Sequence, residues 1–425
     1  MRAFRSKCVT ALVVPVLLGL ATAALVAWMN IRGEAPVSDD VPIGVPAAEL
    51  VQRGAYLAKA GNCAACHTAR GGAAFAGGKG IATPFGTVFA TNITPDPQEG
   101  IGKWNEDHFW RAMHHGRSRD GRLLYPAFPY PDYTFVTRED SDALYAFLRS
   151  QPAVKQPNNP HDLRFPYSSQ VSLAVWRALF FSPGEFEPQA GKSAEWNRGA
   201  YLVRGLGHCQ ACHAPRNVFG ATNDKLELSG GLIPMQNWYA PSLAAPAEAG
   251  VQAWTPEDIV RLLKDGQTTR AAAMGPMAEV VFSSTQHLGD ADLRAMATFL
   301  RELPPHQPAQ PSPVKAGNDI PELGAELYKT QCAECHGERG EGGGFAYPPL
   351  AGHRTVLMSS SANLVKVIIS GGFPATTGGN PRPYGMPPFG QSLTNAEIAA
   401  LASFLRSSWG NNAAAVTELD VNQVR

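Results

Sequence analysis

Arg53-Gly54-Ala55-Tyr56-Leu57 runs into Cys63-Ala64-Ala65-Cys66-His67, and the pairing returns as Arg198-Gly199-Ala200-Tyr201-Leu202 before Cys209-Gln210-Ala211-Cys212-His213. A third copy reads Leu323-Gly324-Ala325-Glu326-Leu327-Tyr328 before Cys332-Ala333-Glu334-Cys335-His336. Cys-x-x-Cys-His is the attachment signature of c-type haem. Two thiols on one short turn meet the two vinyl groups along one haem edge, and the following imidazole becomes the proximal iron ligand. Six of the seven cysteines are used in this way, leaving Cys8 in the apolar N-terminal run and no pair for a structural disulfide. A zinc site would need two such halves, and three evenly spread motifs do not pair. The sequence therefore implies three covalently bound haem c groups on Cys63, Cys66 and His67, on Cys209, Cys212 and His213, and on Cys332, Cys335 and His336.

Working outward, each motif sits in a repeated unit. A second helical pattern closes each: 143–148, 293–300 and 398–405, with apolar residues at helical spacing. Asp140-Ser141-Asp142 and Asp290-Ala291-Asp292 read as acidic N-cap signals. The glycine of each lead-in helix is expected to allow close crossing by an aromatic of the closing helix. Motif intervals of 146 and 123 residues are too long for solenoid repeats, so these are whole domains in tandem. The expected fold is all-α: three class-I-like cytochrome c domains at 48–155, 194–303 and 319–410 behind an N-terminal segment, 1–33. The stretch 171–181 reads as a connecting helix packed between domains, 304–313 as a proline-stiffened linker, and the tail after Gly410 as a polar segment along the surface.

Arg2, Arg5 and Lys7 precede an uncharged run from Cys8 to Asn30, long enough to cross a bilayer. The basic flank keeps the N-terminus in the cytoplasm and exports the rest, placing the haem domains on the periplasmic face of the inner membrane. A retained anchor is favoured because apolar character continues through Val26, Trp28 and Met29. Cleavage after Ala21-Thr22-Ala23 is the competing reading. Cys8 reads as a passive residue at the membrane face. Equal numbers of acidic and basic residues, 36 each, give no sign of a nucleic-acid partner.

A sixth ligand is needed for low-spin haem, and methionine raises the potential. Met386, in Tyr384-Gly385-Met386-Pro387-Pro388, lies 50 residues after His336; Met277 lies 64 after His213, with Met274 and Met235 weaker choices. Matching 111–116 to 261–266 sets Phe128 opposite Met277. Met113, 46 residues after His67, is then the first choice for the first haem, with His114, His115 or an open site as rivals. His108, His161, His208, His287, His306 and His353 read as surface or hydrogen-bonding residues.

Thr83-Pro84-Phe85-Gly86-Thr87, Thr91-Asn92-Ile93-Thr94-Pro95-Asp96, Arg119-Asp120-Gly121-Arg122, Pro348-Pro349-Leu350-Ala351-Gly352 and Ser408-Trp409-Gly410-Asn411 complete a pattern that resembles the membrane-bound tri-haem cytochrome c subunits of periplasmic dehydrogenases. The resemblance implies an electron-transfer subunit with no general acid, base or nucleophile of its own. It implies relay from a dehydrogenase to membrane quinone, a terminal oxidase or another cytochrome. In the quinoprotein and flavoprotein branches the loop at 126–130 usually reads Pro-Ala-Met-Pro-Tyr. Pro126-Ala127-Phe128-Pro129-Tyr130 is similar to the branch paired with molybdenum hydroxylases, which implies molybdopterin and iron-sulfur partner subunits; a quinoprotein or flavoprotein partner is the alternative. An open first haem would instead suit a peroxidase-like enzyme, and a haem sensor would need a signalling domain that the sequence lacks.

Overall fold

The computed structural model describes residues 2–39, 44–222, 226–305, 320–344 and 346–425, and in 2–13, 320 and 321 the backbone alone. The 304–313 linker, apart from its first two residues, and His306 lie outside the described residues, as does the side chain of Cys8. The described chain is mostly helical, with a close helix crossing in three places. Ala48–Ala60 crosses Arg138–Arg149, Ala194–Arg204 crosses Asp290–Arg301, and Ile320–Gln331 crosses Asn395–Ser407.

One glycine makes each crossing possible. A Cβ at Gly54 would lie 1.8 Å from the Ala143 carbonyl oxygen and 2.7 Å from Phe147 Cβ. At Gly199 the same atom would meet Ala295 O at 1.9 Å and Phe299 Cβ at 2.9 Å; at Gly324, Ala400 O at 2.5 Å and Phe404 Cβ at 2.6 Å. The helices touch backbone to backbone, and only a residue without a side chain fits. The expected role of the glycine and the aromatic is borne out.

The acidic signals play a different part from the one expected. Thr137 is the N-cap of Arg138–Arg149, accepting from the Asp140 backbone N–H at 3.3 Å, and Gly289 is the N-cap of Asp290–Arg301. Buried Asp140 and half-buried Asp292 are instead acceptors. Each takes a lead-in arginine of its own unit: Arg53 Nε at 2.9 Å on Asp140, and Arg198 Nε and Nη2 at 2.8 Å on Asp292. Each also takes a tyrosine hydroxyl from the other unit: Tyr201 on Asp140 at 2.6 Å, and Tyr56 on Asp292 at 2.7 Å. The same hydroxyls accept from the Thr137 and Gly289 backbone N–H groups at 3.3 and 3.2 Å. The first two units are thus joined reciprocally through the Arg-Gly-Ala-Tyr-Leu repeat, and they share one apolar core. In the third unit Tyr328 turns inward to the Gly337 carbonyl, and a separate core forms around Tyr328, Val365, Ile398 and Leu401.

Two expectations need correcting and a third is met in part. The chain carries small sheets: Gly80–Thr83, Gly86–Phe89 and Asp162–Leu163 pair antiparallel, as do Gly231–Ile233 and Trp238–Ala240. Helix Gln170–Phe180 does bridge the first two units, with Gln170 bonded to Leu123 in one and Phe180 stacked on Phe219 in the other, but one face of it stays exposed. It lies at the surface against Arg2–Ile31, with Trp176 Nε1 reaching the Phe219 carbonyl at 2.9 Å. The tail is not a polar segment along the surface: it forms helix Glu418–Val424, and buried Val416, Val421 and Val424 complete the core of the third unit.

Candidate haem sites

Each Cys-x-x-Cys-His motif folds as a single helical turn directly after its lead-in helix, so both sulfurs and the imidazole face one side. The three histidines share one detail. His67 Nδ1 lies 2.7 Å from the Thr91 carbonyl oxygen, His213 Nδ1 2.7 Å from that of Pro241, and His336 Nδ1 2.9 Å from that of Pro348. A carbonyl only accepts, so Nδ1 carries the proton and donates, leaving the Nε2 lone pair for a metal. An outer-shell acceptor of this kind fixes the ring and raises its basicity as a ligand. Burial holds all three imidazoles below their ordinary pKa, so they are neutral at pH 7, as ligation requires.

Burial pushes Cys63 and Cys209 up to about 12 and Cys332 up to about 11. A redox Cys-x-x-Cys needs a lowered thiol pKa, and these move the other way.

Among the described residues, a cavity of about 480 Å³ is lined by Cys209, Cys212, His213 and Met277 together with Cys332, Cys335, His336 and Met386. The second and third sites therefore open into one continuous, mainly apolar space, walled by Trp238, Trp254, Leu263, Met296, Ile368 and Phe389. Such walls suit a flat macrocycle. Met386 is pinned on its strap: its N–H donates to Gly372 O at 2.9 Å, and the Gly372 N–H returns to Met386 O at 3.0 Å. Met277 opens helix Pro276–Ser283. Met274 lines the same cavity, while Met235 is largely exposed.

The first site adjoins the second. Ala60 and Asn62, just before Cys63, line the same cavity as Cys209 and His213, and Tyr133, whose hydroxyl donates to Gly61 O at 3.1 Å, lies edge-on to His208 at 5.4 Å. Lys79 Nζ meets Glu279 Oε1 at 3.4 Å across this seam. Met113 is buried on helix Glu106–His115. Counting back from the glycines that end the corresponding helices, Gly116, Gly266 and Gly371, places Met113 with Leu263 and Ile368, both cavity-wall residues. Phe128 packs edge-on to Tyr133 at 5.4 Å, against the same core that Met277 borders. His114 stacks on Trp110 at 4.3 Å, and burial lowers both His114 and His115, the latter to about 4.

Of the histidines expected to be surface or hydrogen-bonding residues, the five described are hydrogen-bonded. His108 completes the Asn105 capping box, His161 accepts from the Phe89 N–H at 3.2 Å, and His353 accepts from the Thr355 N–H at 3.3 Å. His208 Nδ1 and His287 Nε2 meet the Leu206 and Phe282 carbonyls at 2.8 and 3.2 Å. Sequence reasoning missed the carbonyls of Thr91, Pro241 and Pro348. Two lie in stretches already singled out, Thr91-Asn92-Ile93 and Pro348-Pro349-Leu350, but a carbonyl has no side-chain signature.

Comparison with known proteins agrees with this geometry. Residues 51–152 and 321–409 match the cytochrome c family, and 194–300 match the cbb3-type cytochrome c oxidase subunit III family. The chain is 42 % identical over 396 residues to the cytochrome c subunit of a quinone-type alcohol dehydrogenase from Gluconacetobacter polyoxogenes, covering 88 % of this chain and 84 % of that one. It is 39 % identical over 399 residues to the gluconate 2-dehydrogenase cytochrome c subunit of Pantoea cypripedii, covering 88 % and 89 %. It is 40 % identical over 378 residues to a subunit of the nicotinate dehydrogenase of Pseudomonas putida, covering 86 % of this chain and 31 % of that one. Three turns that present two thiols and a carbonyl-held imidazole, within cytochrome c domains, place this chain in the family of haem c-binding cytochrome subunits of dehydrogenase complexes.

Proposed function

We propose that the chain is a tri-haem relay, one haem c per tandem cytochrome domain, taking electrons from a partner dehydrogenase and passing them to quinone or another respiratory acceptor. The observation that carries the reading is the threefold recurrence of a Cys-x-x-Cys turn whose histidine donates Nδ1–H to a backbone carbonyl. Haem supplies one-electron redox chemistry when bound. The residues of the chain hold and insulate it. Cys63, Cys66, Cys209, Cys212, Cys332 and Cys335 tether it, His67, His213 and His336 ligate one face, and Met277, Met386 and Met113 are the proposed sulfur donors on the other. Placement favours a linear order: the second site adjoins the first beside Gly61 and Tyr133 and shares a cavity with the third.

The proposed partner carries molybdopterin and iron-sulfur centres. Phe128 in place of the usual methionine and the match to the nicotinate dehydrogenase chain support it. The alcohol and gluconate dehydrogenase relatives support a quinoprotein or flavoprotein partner as the second reading. Helix Arg2–Ile31, whose Val14–Ile31 portion is apolar and almost uncovered, is proposed to anchor the chain in the inner membrane with the haem domains in the periplasm. Its last turn is stitched to the folded body: Asn30 Nδ2 donates to Ala174 O at 2.9 Å, and Arg117 bonds Asn30 O and Glu34, both at 2.9 Å. Mass spectrometry of the mature chain, with co-purification of the complex, tests the whole reading. Three haem adducts and a co-purifying molybdopterin subunit are expected; fewer adducts would reject the relay, and a quinoprotein or flavoprotein partner would select the second reading.

A further inference from the structure

Helix Gln170–Phe180 inverts the pattern of a helix that faces water. Apart from the first residue, its exposed positions are Val171, Val175 and Leu179, at 75, 42 and 69 %, spaced four apart as one aliphatic stripe. Its only charge, Arg177, points inward and is 3 % exposed. Arg177 Nε donates to Asn30 Oδ1 at 2.9 Å, and its guanidinium lies 5.0 and 4.8 Å from the ring centroids of Tyr130 and Phe181. A water-facing helix shows its charges outward and its aliphatics inward.

Two exposed aromatic rings flank the helix, one in sequence and one in contact. Phe165, on the preceding loop, is 85 % exposed, and Phe219, beyond the second attachment motif, is 53 % exposed. Phe219 is held to the helix by ring stacking on Phe180 at 5.9 Å and by the Trp176 hydrogen bond. A contiguous apolar patch of this kind marks a contact surface. Its position identifies the occupant. The helix is bonded side by side to the last turns of the N-terminal apolar helix, through Ala174 to Asn30 and through Ser182 to Arg32 Nη2 at 2.8 Å. Any medium that surrounds residues 14–31 therefore reaches the neighbouring stripe.

We propose that Gln170–Phe180, flanked by Phe165 and Phe219, is a second membrane contact, inserted at the boundary of headgroups and acyl chains beside the anchor. The inference rests on reading Arg2–Ile31 as bilayer-spanning. Apolar faces of interfacial helices sink about 5–10 Å into that boundary. The stripe would hold the first cytochrome unit, which packs on the same arginine, close against the lipid surface.

The test uses the haem-loaded full-length chain in phosphatidylethanolamine/phosphatidylglycerol vesicles, with Cys8→Ser and one fluorophore-labelled cysteine at a time: Val175→Cys, Leu20→Cys or Leu419→Cys. Quenching is read from lipids with a nitroxide near the headgroup or deep in the chain, and from aqueous iodide. The label at 175 is expected to be quenched about twofold more by the shallow than by the deep nitroxide, as for an interfacial helix. The label at 20 should show the reverse, and the label at 419 should respond to iodide alone. Iodide quenching at 175 with lipid quenching at 20 would overturn the proposal and leave the anchor standing. So would protection at 175 from both quenchers, which would mean that protein covers the stripe. Iodide quenching at 20 would overturn the anchor reading itself, and shallow-lipid quenching at 175 beside it would show that the second contact stands alone.

Discussion

At the scale of single residues, the division of labour at each iron site rests on one atom's preference. A backbone carbonyl fixes which imidazole nitrogen keeps its proton, and the free nitrogen is the one left for iron. On the opposite side, replacing Met386 with alanine should leave three haems attached, shift one of them to high spin and lower its potential, since methionine ligation raises it. Met277→Ala should do the same at the second site, and optical spectra with potentiometry read both. Met113→Ala is the sharper case, because Met113 stands where its sister units carry wall residues Leu263 and Ile368. Loss of one low-spin signal is expected, and an unchanged low-spin spectrum would transfer the role to His114 or His115. The three motifs were legible in the sequence because the thioether attachment proposed for them demands fixed spacing. The carbonyls were not, because any residue supplies one.

At the scale of elements, the helix crossings depend on a missing side chain. With the Ala143 carbonyl only 1.8 Å from the position a Cβ would take, Gly54→Ala must push two backbones apart. Overpacking of this kind costs about 1–3 kcal/mol, and thermal unfolding should show it without loss of any haem adduct. Gly199→Ala should behave alike. The paired helices and their order followed from periodicity, as did the glycine at each contact. The small sheets did not, since two- to four-residue strands such as Asp162–Leu163 are too short for a period to register. The tail escaped for a related reason: Val416, Val421 and Val424 are three apolar residues within a polar stretch, and only the groove they fill makes them core.

At the scale of the whole molecule, the first two units are held by exchanged tyrosines. A hydrogen bond to a charged group contributes about 1.5–3 kcal/mol, so Tyr56→Phe with Tyr201→Phe should lower the first thermal transition, and each single change should give roughly half the effect. The seam also carries a pH dependence. Burial pulls the Asp292 carboxyl up, but the hydrogen bonds from Arg198 and Tyr56 outweigh it and hold the pKa below its usual value. A carboxyl depressed in the folded state stabilises above its unfolded pKa, about 3.9, and that contribution disappears as pH falls through the folded value. The seam should therefore loosen below about pH 4, and calorimetry across that range should show the first transition falling while the double tyrosine variant changes less. This exchange also sets where the chain can be cut or recombined. A fragment ending after the first unit would leave Tyr56 and Asp140 without their opposite numbers, whereas a break in the stretch before Ile320 severs neither. The leading duplex is accordingly the smallest piece that keeps the tyrosine exchange whole. Parting it from the third unit would uncover the cavity the two share, so a swapped module should stay closed only when all three units travel together.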